Sequence, residues 1–261
     1  MDFKDRVSYY KKYRHPDRRL TIAMVTSLGL THGATILDVG AGTGNYASDL
    51  SDMGYNVIAV EPESKMRMAS CDDRLVWNAS FAEEINLQSE CCDAVISINA
   101  IHHFSNLNKA LREMHRIVKR NHKVSIFTFD PDVALRLWFF SYWPSLATIE
   151  RQRYLPIQEV SHQLAEVFAE PPIIEPFIIP RDFRDTFAAA LWASPELMLD
   201  GEYHKASSLL DGLSEHEMEC GIERLKADLL SGEWHREWLN GSPDLFDVGA
   251  RILTVCRRGT V

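Results

Sequence analysis

No apolar run in this chain reaches the ~20 residues needed to cross a bilayer. The opening stretch, MDFKDRVSYYKKYRH, has no apolar core of the kind that directs secretion. A cytoplasmic protein without a stable membrane anchor is expected. The five cysteines (Cys71, Cys91, Cys92, Cys220, Cys256) are odd in number and show no C-x-x-C spacing, which argues against a disulfide framework and a zinc site; no metal is expected. A basic excess is missing too. The net charge is −9, and phosphate backbones demand a positive face, so no nucleic-acid partner is expected. Residues 1–37 carry seven Lys/Arg against three Asp/Glu, whereas residues 196–247 carry thirteen acids against four bases, a bias that reads as a solvated helical face. Repeats and low-complexity segments are absent. What remains is an ordinary globular composition, 46% hydrophobic and 25% charged over 261 residues, enough for one large core or one core with a cap.

The most informative stretch is ILDVGAGTGNY, residues 36–46. Ile36, Leu37 and Val39 read as a buried strand, Gly40, Ala41, Gly42 and Gly44 as a turn nearly free of side chains, and Asn45 onward as a helix with Ala47 and Leu50 inward. Glycine permits positive φ and close approach of a ligand to the backbone, and the first amides of the helix offer donors and partial positive charge. A nucleotide cradle is the reading. A dinucleotide fingerprint would need a third glycine at the position held by Asn45, which weakens a nicotinamide or flavin assignment.

With Asp38 two places ahead of Gly40 and the glycines alternating, the stretch resembles the first motif of the class I S-adenosylmethionine-dependent methyltransferases, in the small-molecule, type 11-like branch. The resemblance implies that Asp38 and the turn amides hold the methionine end of S-adenosyl-L-methionine. It also implies a second acid at the tip of the next strand for the ribose. Asn56 to Val60 is that strand and Glu61 its tip, where a carboxylate can accept charge-assisted bonds from both ribose hydroxyls.

Ser80 to Leu87, SFAEEINL, resembles the family's adenine-contacting loop. The Ala82 amide is available there, while Phe81 stands where a polar residue is frequent and either packs on the adenine ring or joins the core. Ala94 to Ile98 is a continuous apolar strand that delivers Asn99 to the C-terminal edge of the sheet, where open α/β sheets bind ligands. His102 and His103 follow. Either is a candidate base, since a histidine near its ordinary pKa of about 6.5 can take a proton from an acceptor; the alternative is that one packs and the other bonds backbone.

Further strands are expected at residues 75–78, 123–129, 173–178 and 250–257, with helices at 17–28, 64–69, 106–120 and 214–230. The last of these opens with a capping box, Ser214 and Glu217, and turns Met218, Ile222, Leu225 and Leu229 inward. Tyr9, Tyr10, Tyr13, Arg14 and His15 resemble the segment that closes over the cofactor in small-molecule methyltransferases, or pack on the surface. Trp138, Phe139, Tyr142 and Trp143 either wall an apolar or aromatic substrate or pack a helix.

The expected fold is α/β, a Rossmann-like three-layer sandwich with a seven-stranded, mostly parallel sheet plus a helical lid. Residues 1–130 would hold the N-terminal cap and cofactor half, 131–170 the lid, and 171–261 the elements completing the domain. The expected activity is methylation of a small molecule at O, N or C. Neither nucleic-acid methylation pattern is present: the positions of an N-P-P-Y motif read Asn99, Ala100, Ile101, His102, and Cys91 and Cys92 lack the proline of a cytosine nucleophile. Rival readings are a cofactor-binding subunit without transfer and a sulfonium-dependent enzyme of another reaction, such as cyclisation. The motifs set no oligomeric state.

Overall fold

The computed structural model describes residues 3–239 and 245–259. Contacts divide the chain into two units, a sheet unit (Pro16–Phe129, Pro156–Phe177, Arg251–Val261) and a helical unit (Met1–His15, Asp130–Leu155, Ile178–Ala250). Each of the three consecutive segments expected above contributes residues to both units.

Five strands of the sheet come from the first half of the chain: β1 (Thr35–Val39), β2 (Asn56–Val60), β3 (Val76–Asn78), β4 (Cys92–Ile98) and β5 (Val118–Phe129). Late strands β6 (Ile173–Pro176) and β9 (Ala250–Arg257) complete it in the order β3-β2-β1-β4-β5-β9-β6. The β1–β2, β1–β4, β2–β3 and β4–β5 pairs are parallel, and β6 runs antiparallel to β9. Burial follows position. Ile36 to Val39 are wholly buried at the centre, whereas β6 at the edge is exposed along its length and ends at Pro176, two residues short of expectation.

Helices α2 (Arg18–Leu28), α3 (Asn45–Asp52), α4 (Ser64–Met68), α5 (Leu107–Ile117) and α9 (Ile157–Phe168) belong to this unit. Alternation along β5 assigns the faces. Val124 and Ile126 pack with Leu111 and Met114 of α5 and Val160 and Leu164 of α9, each such side chain adding about 1.5–3 kcal/mol by leaving water. Ser125 points the other way, its Oγ 3.1 Å from Ser27 Oγ and 3.8 Å from Met24 Sδ of α2. Helices therefore cover both faces, which gives three layers. Helix α2 starts at the Asp17 cap, whose carboxylate accepts from Arg19 N at 3.0 Å, and stops at Gly29 with φ +68°.

The expected boundary between α5 and β5 is corrected by the structure. The helix ends at Ile117, and Val118 is already a strand residue paired with Cys92. The register then jumps to Ala94 against Lys123, so residues 119–122 bulge, with Asn121 at φ +62° turning the chain. Lys119 Nζ secures the bulge by donating to Asp93 Oδ1 at 2.7 Å.

The helical unit contains α1 (Phe3–Tyr13), α6 (Pro131–Ala134), α7 (Phe139–Tyr142), α8 (Ser145–Arg153), α10 (Gly201–Ala206) and α11 (Glu215–Ser231), with a small antiparallel pair, β7 (Ile179–Pro180) and β8 (Leu245–Phe246). Its core is aromatic. Trp138 and Trp143 are 1% and 0% exposed. The Trp138 indole donates to Leu191 O at 3.2 Å and meets Trp234 edge-on at 5.5 Å. Trp143 donates to Met218 O at 3.3 Å and lies on Gly221, where an added Cβ would sit 2.0 Å from the indole nitrogen. All four aromatics of this stretch, Trp138, Phe139, Tyr142 and Trp143, are buried in the packing of the helical unit.

That contact also corrects the inward face of α11. Gly221 and Leu225 are buried, while Met218, Ile222 and Leu229 are only half-buried, since the bulky indole takes the place of α11 side chains. The Ser214 cap forms as expected, its Oγ accepting from Glu217 N at 3.1 Å, but the Glu217 carboxylate accepts from Ser145 N at 3.0 Å. Helix α1 is tied within the same unit by polar bonds: Tyr13 donates to Asp200, Arg14 grips Asp185 through both nitrogens of its fork, and Lys12 pairs with Glu202. No helix among the described residues is long and apolar enough to cross a membrane.

Candidate active site

The candidate cofactor residues and the two candidate bases, from Asp38 to His103, lie in the sheet unit. Val39 ends β1, and the chain turns through Gly40, Gly42 and Gly44 at φ +80°, +58° and +79° before α3 begins at Asn45. Two of these glycines are required sterically as well as conformationally. A Cβ on Gly40 would stand 2.5 Å from Ala100 Cβ, and one on Gly44 would stand 2.8 Å from Leu75 Cδ1. Gly40 N and Ala41 N both donate to Val60 O, at 2.9 and 3.0 Å, fastening the turn to the tip of β2.

Glu61 follows Val60 and faces the same turn. Its Oε2 accepts from Gly42 N at 3.0 Å, its Oε1 accepts from Glu63 N at 3.0 Å, and Arg67 Nη1 donates to its carbonyl at 2.6 Å. Burial raises its carboxyl above the usual range against the pull of the Glu63 and Gly42 amides. Asp38 is the more perturbed acid. It is 2% exposed at the end of β1, and burial, then the Glu61 carboxylate, push it up to about 7. No cation among the described residues offsets either effect.

Such a pair has a chemical meaning. Two acids at adjacent strand tips, one buried without a countercharge, beside amides on a turn that excludes side chains, suit a ligand with a positive group at one end and hydroxyls at the other. S-adenosylmethionine has that pattern, a sulfonium and ammonium near a ribose, so the residues fit the group.

On the other side of β1, Ser97 of β4 donates to Val39 O at 2.9 Å. Asn99 follows in a left-handed conformation, φ +51°, its N–H on Phe127 O at 2.9 Å. Ile101–His103 form a single 3-10 turn. His102 is half-buried and His103 exposed, with ring centroids 4.0 Å apart. Phe104, the residue that ends this turn, lies against Gly40, where a Cβ would be 3.5 Å from its ring.

The loop after β3 carries Phe81, whose side chain is 67% exposed, and Ala82, which is buried. Phe81 is thus not a core residue. Phe81 and Glu84 bridge across a tight turn. Two groups that no sequence motif singles out fix this loop: Glu83, whose carboxylate reaches Ser105 and Asn106, and Arg116, which donates to Ile85 O and Leu87 O at 2.9 and 2.7 Å. For Glu83 the signal was its place beside Ala82; for Arg116 the sequence carries none.

A family model described as a methyltransferase domain matches residues 37–126. A solved structure from Anabaena variabilis, a candidate methyltransferase from an antibiotic biosynthesis pathway, is 37% identical, superposes with a TM-score of 0.87, and covers 93% of this chain and 98% of its own. The chain belongs to the S-adenosylmethionine-dependent methyltransferases. A Haemonchus contortus phosphoethanolamine N-methyltransferase in complex with S-adenosylhomocysteine shares the fold at 18% identity and a TM-score of 0.57, covering 92% of this chain and 53% of its own. The mitochondrial ubiquinone biosynthesis O-methyltransferase of Rattus norvegicus is 27% identical over 106 residues, 37% of this chain and 31% of the rat protein. This chain spans between 31% and 50% of the length of the curated relatives it matches.

Proposed function

We propose that this methyltransferase acts on a small-molecule acceptor, with Asp38 and the Gly40–Gly44 turn holding the methionine end of the cofactor, Glu61 the ribose, and Phe81 and Ala82 the adenine. The observation that carries the reading is the buried Asp38 carboxylate, without a countercharge, at the foot of the glycine turn. S-adenosylmethionine supplies an electrophilic methyl group when bound. The protein's share is alignment and proton management. Asn99, held left-handed at the end of β4, completes the cofactor contacts, the adjoining turn lines the strand edge where the acceptor approaches, and His102 or His103 takes the acceptor's proton.

Support for a small acceptor comes from the antibiotic-pathway origin of the Anabaena relative and from the −9 charge, which disfavours nucleic acid. Incubating the protein with methyl-labelled S-adenosylmethionine and a panel of small phenols, carboxylic acids and amines tests it; label is expected in one class. Changing each histidine to glutamine separately should lower kcat by about 10²- to 10⁴-fold for the one acting as base. Label transferred only to protein or RNA would overturn the acceptor class. A [4+2]-cyclase shares the fold at 15% identity and a TM-score of 0.56, so an acceptor consumed without label uptake would redirect the reading to non-methylating chemistry.

A further inference from the structure

Glu83 has no role in the site as described, yet it connects two of its parts. It sits on the Phe81–Glu84 turn immediately after Ala82, and its Oε1 accepts from Ser105 Oγ at 2.9 Å and from Asn106 N at 3.0 Å. Those donors follow directly on Ile101–His103 and Phe104. Asn106 is also the N-cap of the 11-residue helix α5, accepting from Lys109 N at 3.0 Å, so the carboxylate lies at a helix start, where negative charge is favoured. Burial opposes its ionisation, but the Asn106 and Ser105 bonds outweigh that and hold the carboxyl below the usual range.

The other end of the loop has an independent anchor. Glu113 Oε2 accepts from Ile85 N at 2.8 Å and pairs with Arg116, which holds the Ile85 and Leu87 carbonyls. The stem is thus fixed to the last turns of α5, and the tip, through Glu83, to its first. A loop needing only to be stable would be served by the stem. The tip bond adds a fixed relation between Ala82 and the histidine turn.

We propose that Glu83 is a positioning residue that holds the adenine-side loop and the His102–His103 turn in one register, so that seating the cofactor and placing the histidines are a single event. This rests on the cofactor reading of the same site. Its test is calorimetric titration with S-adenosylhomocysteine on wild type, Glu83→Ala, Glu83→Gln and Ser105→Ala, paired with amide hydrogen exchange over residues 101–106, with and without the ligand. Wild type should bind and gain protection across those amides. Glu83→Ala should bind about tenfold more weakly, within the usual range for coupled sites, and show no ligand-induced protection there. Glu83→Gln keeps an oxygen acceptor for both donors and should recover affinity to within about threefold and the protection with it. Ser105→Ala, which removes one donor from the far side, should fall between the two and guards against a Glu83→Ala protein that does not fold. If Glu83→Ala or Ser105→Ala lowers the melting temperature but leaves both affinity and ligand-induced protection unchanged, Glu83 is a helix cap alone and the proposal is overturned. A wild type that fails to bind overturns the cofactor reading and this inference together, an outcome distinct from a variant that binds as well as wild type.

Discussion

Replacing Asp38 with asparagine should make the ligand-free protein more stable at pH 8 while disabling its site. Burial and the Glu61 carboxylate push Asp38 up to about 7 in the folded protein, whereas the free carboxyl group has an ordinary pKa of 3.8. Between those values the folded state binds a proton that the unfolded chain has released, so stability falls as pH rises through the window and levels off above it. At about 1.4 kcal/mol per pH unit, the rise corresponds to roughly 4 kcal/mol present below pH 3.8 and lost above pH 7. The asparagine carries no such titration, but its buried amide brings its own desolvation cost of about 1–3 kcal/mol. Urea unfolding of both proteins at pH 4.5, 6 and 8, without ligand, should show wild type more stable at the lowest pH and the variant more stable by roughly 1–3 kcal/mol at the highest. A difference between the two proteins that stays constant across pH would refute the claim that Asp38 is buried without a countercharge.

Glu61→Ala should weaken S-adenosylmethionine binding by about 1.5–3 kcal/mol, the range for hydrogen bonds to a charged group; calorimetry checks this, and unchanged affinity would remove the ribose assignment. Gly221→Ala drives a methyl group into the Trp143 indole, so thermal unfolding should register a loss of about 1–3 kcal/mol. Arg14→Leu takes the guanidinium from Asp185, which is 2% exposed, and should cost about 3–5 kcal/mol in denaturant unfolding. Parallel replacement of both Arg14 and Asp185 with apolar residues should recover much of that loss.

The sheet could be read from the sequence because its signals are local. Apolar runs such as Ala94 to Ile98 mark strands buried on both faces, and Asp17 and Ser214 announce helix starts through a single side-chain bond each. Alternating glycines with acids at two strand tips likewise declare a turn and its neighbours within a short span of chain. The grouping of late segments left no such trace: the 3-10 turns Ala188–Ala193 and Pro195–Leu199 have no helical period to read. Gly221 resembles any helix-weakening glycine until Trp143, far away in sequence, is placed on it. Glu83 stood inside a motif, but its partners Ser105 and Asn106 are brought to it by the sheet. Long-range polar contacts of this kind depend on the completed topology, and a pattern along the chain does not encode them.

The most direct measurement is calorimetric titration of the purified protein with S-adenosylmethionine and, in parallel, with NADH. One micromolar site is expected for the former and none for the latter, with the affinity reduced in Asp38→Asn. Binding of NADH alone, or of neither, would contradict the assignment of the Asp38, glycine-turn and Glu61 cradle.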